Sequence, residues 1–388
     1  MLDARVVFLT HYIPLYQVRV LQELATRVRD FHVLLSTPIE PNRDFELDWS
    51  GLDVSIQKTW MLRHWWTHQS NDDAGSFTDP LYIHIPRDTN AKLRALQPDV
   101  VMSLELGARS LGAVRYCRRH PETKSILCTY MSEHTEQDRG RLRLGLRKYL
   151  VQRADALTYN GPSCKRYLRT LGADEDALYH LPYAADDRTV WRGAIDRDED
   201  ESRHRLLCVG QLTERKGVTR LLRQLSEYCR RRPQQRIEIL FAGNGPLKSE
   251  LQQATTPTNL DVQILGNMPP KELSELMLQC GNIITPTLAD EWLLVVNEGM
   301  QAGMPIIGSI YSQAVDSLVR QGENGWRYDP TDDQSLAITL DKYFTVDADQ
   351  LASMRIAARQ SVTERTPQWA SAGAVDAVQA VLKDRPHS

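Results

Sequence analysis

Residues 290–307 read DEWLLVVNEGMQAGMPII, and this stretch decides how the rest of the sequence is interpreted. Two acids, Asp290 and Glu298, are separated by seven residues that include an apolar run suited to a buried helix. Gly303 and Pro305 follow the second acid and lead into a short β-like run. Because carboxylates are seldom buried without a partner, a segment of this kind needs a reason for both charges.

The composition is that of a soluble globular protein with room for two ordinary domains: 388 residues, 41% hydrophobic and 25% charged. A net charge of −3 gives no basic field for nucleic acid, and no apolar run approaches the length of a membrane-spanning helix. The first apolar run is expected to be a strand and not a signal peptide. None of the six cysteines forms a CxxC pair, which argues against a zinc or redox site and favours a cytoplasmic protein.

Short apolar runs alternate with helical patterns along the whole chain. In the second half, five runs are expected to be strands, at residues 205–210, 237–243, 261–266, 282–287 and 304–309. The first half repeats the pattern at residues 5–10, 31–37, 98–104, 125–130 and 154–160. Strands that alternate with helices predict parallel sheets covered on both faces, so the expected fold class is α/β.

A charged and poorly periodic segment at residues 186–205 separates the two halves and is interpreted as a hinge. We therefore predict a first domain at 1–187, a second at 188–365, and a C-terminal helix within 366–388 that packs back on the first domain. Two doubly wound, Rossmann-like domains would face each other across a cleft at the carboxyl ends of their strands, where such sheets bind ligands.

Residues 290–307 resemble the signature of the family 4 GT-B glycosyltransferases, which use nucleotide-sugar donors and retain the anomeric configuration. Further blocks resemble those of the family in the same order, at residues 8–25, 209–222, 241–251, 264–287 and 318–332. The resemblance implies a GT-B fold and transfer of a sugar, with UDP as the expected nucleotide, to a saccharide or a lipid-linked acceptor. Polysaccharide or glycolipid synthesis is the setting that it suggests.

A nucleotide sugar is a diphosphate between two polyols, and a carboxylate accepts two charge-assisted hydrogen bonds from a vicinal diol. The resemblance implies that Glu298 holds the ribose and Asp290 the transferred sugar, while the helix starting near Leu293 points at the diphosphate. Asp290 stands where the family usually has Glu, and Leu293 where it commonly has Gly. The residues between the two acids that complete the expected donor site are Glu291, Trp292, Leu293, Leu294 and Val295.

The loop QLTERKG follows a strand that ends at Gly210. Family members usually hold the diphosphate with an Arg directly after that glycine and a Lys before the second glycine. Here Gln211 takes the first position, so Lys216 is expected to stabilise the leaving phosphate and Arg215 to replace the missing arginine. Such cations can substitute for a divalent metal, and no DxD motif ends a strand. We therefore expect no metal and no other cofactor.

The turn AGNGPL supplies two weaker candidates, Asn244 and Gly245, for contact with the nucleotide. A strand-to-helix turn also needs glycines for purely structural reasons, so the two interpretations stay open.

The first half is expected to bind the acceptor and carries fewer signals. His134 is the first candidate for a polar group in the cleft, because family members often place a His after a strand in this region. Glu133 is the alternative. Tyr16, in the loop after the first strand, and Tyr183, in the block before the hinge, are expected to lie near the substrates.

Two stretches suggest contact with a membrane. Residues 138–153 interleave basic residues with Leu, and residues 59–66, TWMLRHWW, are rich in Trp. Basic amphipathic segments with Trp can lie on anionic bilayers. They predict peripheral contact with the inner face of the membrane, and a solvated helix and a packed loop are the simpler alternatives.

Two other functions share these features. A nucleotide-sugar 2-epimerase has the same fold but needs further acids and a His in the cleft. A catalytically silent sugar-nucleotide-binding subunit is favoured only by Gln211, Asp290 and Leu293. Donor turnover measured with and without an acceptor distinguishes a transferase from the silent subunit.

Overall fold

The structure of the protein, a computed structural model, describes residues 1–41, 46–68, 77–136, 140–188 and 202–383. The chain divides into two compact units. The first comprises Met1–Trp66, Asp79–Asp186 and Arg365–Ser388, and the second comprises Thr67–Thr78 and Asp187–Glu364. Most of the predicted hinge, including the acidic cluster at 196–200, lies outside the described residues.

The first unit is built on parallel strands with helices between them. Its strands are β1 (Leu2–Thr10), β2 (Val28–Leu35), β3 (Asp53–Ile56), β4 (Thr59–His68), β5 (Phe77–Pro86), β6 (Val100–Leu104), β7 (Lys124–Cys128), β8 (Ala156–Tyr159) and β9 (Leu178–His180). The helices between them are α1 (Leu15–Ala25), α2 (Thr89–Leu96), α3 (Ala108–Arg119), α4 (Arg141–Val151) and α5 (Pro162–Thr170).

Seven of these strands form one sheet in the order β3-β2-β1-β6-β7-β8-β9, and every pair in it is parallel. Alternate residues of β1 face opposite sides: Phe8 packs with one buried cluster and Leu9 with another. Helices cover both clusters, as expected for a doubly wound sheet. The strand order reverses between β1 and β6, so the ligand-binding crevice of this sheet is expected there. Strands β4 and β5 form a separate two-stranded sheet.

The second unit has its own sheet and helices. The strands are β10 (Arg205–Val209), β11 (Ile237–Ala242), β12 (Leu260–Gly266), β13 (Asn282–Thr285), β14 (Ile306–Ser309) and β15 (Gly325–Tyr328). The helices are α6 (Val218–Arg231), α7 (Lys248–Gln253), α8 (Pro270–Met277), α9 (Val295–Gln301), α10 (Gln313–Leu318), α11 (Asp333–Thr345) and α12 (Ala348–Gln360).

These six strands are parallel and lie in the order β12-β11-β10-β13-β14-β15. The amphipathic pattern of α6 is realised, since its apolar side chains, among them Leu221, Leu222 and Leu225, are buried against Ile239 and Phe241 of β11. The order of the strands reverses between β10 and β13, which places the expected ligand site of this unit at their carboxyl ends.

The C-terminal helix, α13 (Pro367–Lys383), belongs to the first unit. Its buried face, which includes Ala374 and Val378, joins the core formed by α1 and the first sheet. Gly373 lets it lie close to the sheet edge, because an added Cβ there would be 1.6 Å from the carbonyl oxygen of His180. None of the helices in the described ranges is long and apolar enough to cross a membrane.

Candidate functional site

A small pocket opens at the point in the second sheet where the strand order reverses. The loop after β10 forms one wall, and the end of β13 with the loop that follows forms the other. The residues that line it are Cys208, Val209, Gly210, Gln211, Lys216, Val218, Thr285, Pro286, Thr287 and Leu293. The pocket therefore brings together Leu293, from the segment 290–307, and three residues at the predicted donor loop, Gly210, Gln211 and Lys216.

The loop after β10 is held tightly against the end of β13. Gly217 adopts the left-handed conformation with φ of +68°, and a Cβ at this position would lie 2.2 Å from the carbonyl oxygen of Pro286. The backbone amide of Leu288 also donates to the carbonyl of Arg215 at 2.8 Å. Only glycine fits this close approach, so the second glycine of QLTERKG fixes the two preceding cations beside the strand end.

Asp290 lies between those two cations. Its carboxylate accepts a hydrogen bond from Lys216 Nζ, and Arg215 Nη1 lies 3.6 Å from the same oxygen, Oδ2. Arg215 Nη1 also donates to the carbonyl of Ala289 at 3.0 Å. Burial alone would raise the pKa of Asp290, but Lys216 and then Arg215 outweigh it and hold the pKa below its ordinary value. Asp290 is therefore an ionised carboxylate at neutral pH, neutralised by its own chain.

Leu293 has an unusual backbone conformation for a leucine. Its φ of +85° lies in the left-handed region, which is costly for a bulky side chain. The position tolerates glycine far better, which gives a physical reason for the glycine that the family commonly has there. Helix α9 begins at Val295, with Leu294 as its N-cap, two residues later than the start near Leu293 expected from the sequence.

The other residues of this segment divide between core and surface. Trp292 is 3% exposed and its Nε1 donates to Asn297 Oδ1 at 2.8 Å, so the ring faces the interior of the unit. The carbonyl of Glu291 accepts from Gln313 Nε2 at 2.7 Å. Glu298 lies in the first turn of α9 and is partly exposed. The next residue, Gly299, lets α9 pack closely on the sheet, because a Cβ there would lie 2.3 Å from Ile283.

The turn AGNGPL packs directly against the basic loop. A Cβ on Gly243 would lie 1.9 Å from the carbonyl oxygen of Gly210, and one on Gly245 would lie 2.4 Å from that of Leu212. Asn244 is exposed, and its Oδ1 accepts from the amide of Gly245 at 3.0 Å. These glycines have a structural role, since they allow two backbone segments to touch beside the pocket.

In the first unit, Tyr16 and Tyr183 lie together, with ring centroids 5.3 Å apart. Tyr130, which the sequence did not single out, joins them at 4.5 Å from Tyr183 and accepts from Gln17 Nε2 at 3.3 Å. The three tyrosines form an aromatic cluster next to the N-terminus of α1. Tyr130 was expected to end the strand at 125–130, and only the structure, where β7 ends at Cys128, brings its ring to the other two.

The two other candidates of this unit lie in the loop after β7. Glu133 binds α5: its Oε2 accepts from Arg166 Nε at 2.9 Å and from Ser163 Oγ at 3.2 Å. These contacts give it a structural task in anchoring the loop. His134 is its partly buried neighbour. The structure therefore gives Glu133 and His134 different surroundings, although they are adjacent in sequence.

Within the described ranges, no group of three or more His, Cys, Asp or Glu side chains is arranged to hold a metal ion. The six cysteines are free and buried. Pro286 and Thr287, which line the pocket, were not expected from the sequence. Their only signal is their position directly after β13, where parallel sheets bind ligands.

The second half of the chain is similar to a known family. Residues 192–361 match the family described as "Glycosyl transferases group 1". The putative colanic acid biosynthesis glycosyltransferase WcaL of Salmonella typhimurium is 25% identical over 175 residues, and that of Escherichia coli K12 is 26% identical over 167 residues. The first alignment covers 42% of each chain and the second 40% of each, so the chain matches only about two fifths of the length of these curated relatives.

Solved structures extend the similarity to almost the whole chain. Alr3699/HepE of Anabaena, in complex with UDP, superposes with a TM-score of 0.71 at 13% identity, covering 97% of this chain and 100% of that one. Sucrose-phosphate synthase of Thermosynechococcus elongatus gives 0.71 at 14% identity, with 98% and 100% covered. Residues 192–361 are thus similar to glycosyl transferases group 1, and the chain as a whole has the expected α/β GT-B fold.

Proposed function

We propose that the protein is a retaining hexosyltransferase of family 4, which moves a sugar from a UDP-sugar to a saccharide or lipid-linked acceptor. The observation that carries the proposal is the pocket at the reversal point of the second sheet, with Lys216 in its lining and Arg215 and Asp290 beside it. The names of the relatives, which refer to colanic acid biosynthesis, support a polysaccharide or glycolipid setting. The UDP bound to the structural neighbour supports a UDP-sugar donor.

The proposed reaction uses the acceptor hydroxyl as the nucleophile. The bond between the anomeric carbon and the phosphate oxygen breaks, and the acceptor oxygen bonds to the same face of the sugar. The leaving phosphate oxygen takes the hydroxyl proton. Lys216 and Arg215 meet the charge that develops on the diphosphate, while Asp290 and Glu298 hold the hydroxyls of the sugar and the ribose. No metal or other cofactor takes part in this scheme.

The donor site is tested by ligand-induced stabilisation. We expect UDP to raise the melting temperature more than GDP or ADP does, because binding to the folded state alone stabilises it. UDP-sugar turnover is then measured with and without a lipid and glycoside acceptor pool. Stimulation by the pool supports transfer, conversion of the free nucleotide sugar supports the epimerase, and binding without any turnover supports the silent subunit. The absence of any nucleotide effect would contradict all three.

We also propose that the protein works at the inner face of the membrane, which suits a lipid-linked acceptor. Three large apolar side chains on β4, Trp60, Leu62 and Trp65, are more than half exposed. Arg87 stacks on the ring of Trp60 at 4.6 Å and Arg63 on that of Trp65 at 4.4 Å. On α4, Leu142 is 93% exposed in a basic segment. Exposed Trp and Leu beside arginines are suited to an anionic bilayer surface.

The membrane proposal is tested by sedimentation with vesicles that contain phosphatidylglycerol. We expect Trp60→Ser together with Trp65→Ser to lower the bound fraction severalfold. Ile338→Ser, which removes a side chain of similar exposure from the second unit, is the matched control and should have no effect. Equal binding of all variants, or no binding by the wild type, would contradict the proposal.

A further inference from the structure

Three non-glycine residues in the described ranges have a positive φ: Gln97, Glu105 and Leu293. Gln97 caps the C-terminus of α2, where the left-handed conformation commonly ends a helix. Leu293 lies in the donor pocket. Glu105, with φ of +68°, ends no helix and follows directly on β6. Strained residues of this kind persist only where the surroundings fix them, and they concentrate at functional sites.

The surroundings of Glu105 do fix its backbone. Its amide donates to the carbonyl of Cys128 at 2.7 Å, and its carbonyl accepts a hydrogen bond from the hydroxyl of Ser110. Its side chain nevertheless remains exposed. The chain therefore keeps a costly conformation that presents a carboxylate to the solvent.

The position of this carboxylate is the reversal point of the first sheet. Strands β1 and β6 pair in parallel, and their last matched position, Leu9 opposite Ser103, lies two residues before Glu105. Crevices at such points bind ligands in open α/β sheets. This is the same place in the first sheet that the donor pocket occupies in the second.

A buried polar layer lies under this edge. Arg109 is 4% exposed and donates to the carbonyl of Leu104 at 2.9 Å and to Ser36 Oγ at 3.3 Å. Burial holds the pKa of Arg109 below its ordinary value, although the charges of Glu105 and Glu40 act to raise it. The buried guanidinium thus interacts electrostatically with two carboxylates, one of which, Glu105, is exposed.

A histidine completes this layer. The His84 side chain is 4% exposed, and its Nε2 lies 2.9 Å from Glu40 Oε1. Its ring is centred 6.1 Å from that of His11. The other ring nitrogen, Nδ1, has no hydrogen-bond partner in the described part of the chain. A buried nitrogen of this kind is unusual, and an ordered water molecule is a common partner for such a group.

We propose that Glu105, at the reversal point of the first sheet and next to the residue that Arg109 binds, holds the acceptor and takes a vicinal diol of a saccharide. The carboxylate accepts both hydroxyl hydrogens, and the buried arginine keeps a positive charge close to it. The inference rests on the proposed transferase function and deepens it, since it assigns the second substrate to particular residues of the first unit.

The experiment measures transfer from UDP-glucose and UDP-galactose to decyl glycosides of glucose, galactose and N-acetylglucosamine. Glu105→Gln keeps the size of the side chain and removes its charge, and Glu105→Gly removes both the carboxylate and the strain. We expect either variant to raise the KM for the glycoside about 10- to 100-fold, as the loss of a charge-assisted hydrogen bond would, while the calorimetric affinity for UDP is kept. Gln97→Gly relieves a left-handed residue away from the edge and should leave the KM unchanged.

Thermal unfolding separates the two effects of the Glu105 substitutions. Glu105→Gly should melt about 1–3 °C above the wild type, as Gln97→Gly should, because glycine accepts a positive φ. If Glu105→Gly fails to fold, Glu105→Gln decides alone. An unchanged glycoside KM in Glu105→Gln would overturn the inference. Wild-type turnover of UDP-sugar without stimulation by any glycoside would also overturn it but would leave the donor proposal, which rests on UDP binding, in place.

Discussion

Asp290 has two tasks that compete, because the cations that pair with it are also the cations proposed to bind the donor. In the structure its carboxylate pairs with Lys216 and lies near Arg215, and in the proposed reaction the same cations meet the charge of the donor diphosphate. A bound diphosphate therefore competes with Asp290 for the two cations. Release of Asp290 from them would allow it to accept the hydroxyl hydrogens of the transferred sugar.

The substitution Asp290→Asn tests this competition. We expect UDP to bind about threefold to tenfold more tightly, because the cations lose their internal counter-charge, while turnover falls about 100-fold or more. Calorimetry gives the affinity and a UDP-release assay the turnover. Asp316→Asn, which breaks the exposed ion pair with Arg327, is the matched control. Weaker UDP binding by Asp290→Asn would mean that the carboxylate mainly holds the loop in place.

The expected role of Glu298 in binding the ribose can be tested by substitution. If it holds the ribose, Glu298→Ala should weaken UDP binding by about 1.5–3 kcal/mol, the range for hydrogen bonds to a charged group. Glu272→Ala is a matched control, because Glu272 is an acid in the first turn of α8 and shares any helix-dipole effect. Equal affinities of the wild type and Glu298→Ala, measured calorimetrically on folded protein, would remove Glu298 from the ribose site.

At the scale of elements, the regular strands follow from the sequence. All ten strands expected from apolar runs are present, because most of them are buried on both faces and give continuous hydrophobic segments. The two-stranded sheet of β4 and β5 was not predicted. Its Trp, His and Arg residues suggested a membrane contact, and they do not show the simple alternation of a half-buried strand. The short strands β3, β9 and β15 add edges to the sheets and carry too few residues for a periodic signal.

The geometry of the site was less accessible to prediction than its residues. The sequence marks Lys216 and Asp290 separately, but their ion pair joins positions 74 residues apart and depends on how two loops pack. The left-handed conformation of Leu293 is equally hidden, since a leucine is a poor signal for a positive φ. In both cases the packing of neighbouring loops determines the geometry, and no local sequence pattern predicts it.

The loop that joins β13 to α9 contains Leu293, whose positive φ can be tested by substitution. Leu293→Gly and Leu293→Ala both remove the side chain, but only glycine relieves the positive φ. We therefore expect Leu293→Gly to be more stable than Leu293→Ala by about 1 kcal/mol, the reverse of the usual order of these two residues. Denaturant unfolding of both variants measures the difference. A more stable alanine variant would show that the loop relaxes to another conformation.

In the whole molecule, the rate of the proposed reaction depends on the positive charge that lies beside the leaving group. The chain carries a net charge of −3, yet the second sheet gathers Lys216 and Arg215 at its reversal point. Such fixed cations cost little reorganisation when charge develops in the transition state. The proposed scheme therefore requires that turnover depend on Lys216 and Arg215 and not on an added metal ion.

The last prediction concerns this independence from metal. We expect activity to survive excess EDTA and to change little when Mg²⁺ is added. Lys216→Ala should lower turnover about 10²- to 10³-fold, as expected for the loss of one preorganised stabilising group. Arg215→Ala should cost a similar factor if Arg215 replaces the arginine missing at Gln211, and a fully active Arg215→Ala would leave Lys216 as the one assigned cation. Assays of the wild type and both variants, with EDTA and with Mg²⁺, make the test. Activity that EDTA abolishes and Mg²⁺ restores would contradict the scheme, because the charge on the leaving diphosphate would then be met by a metal ion.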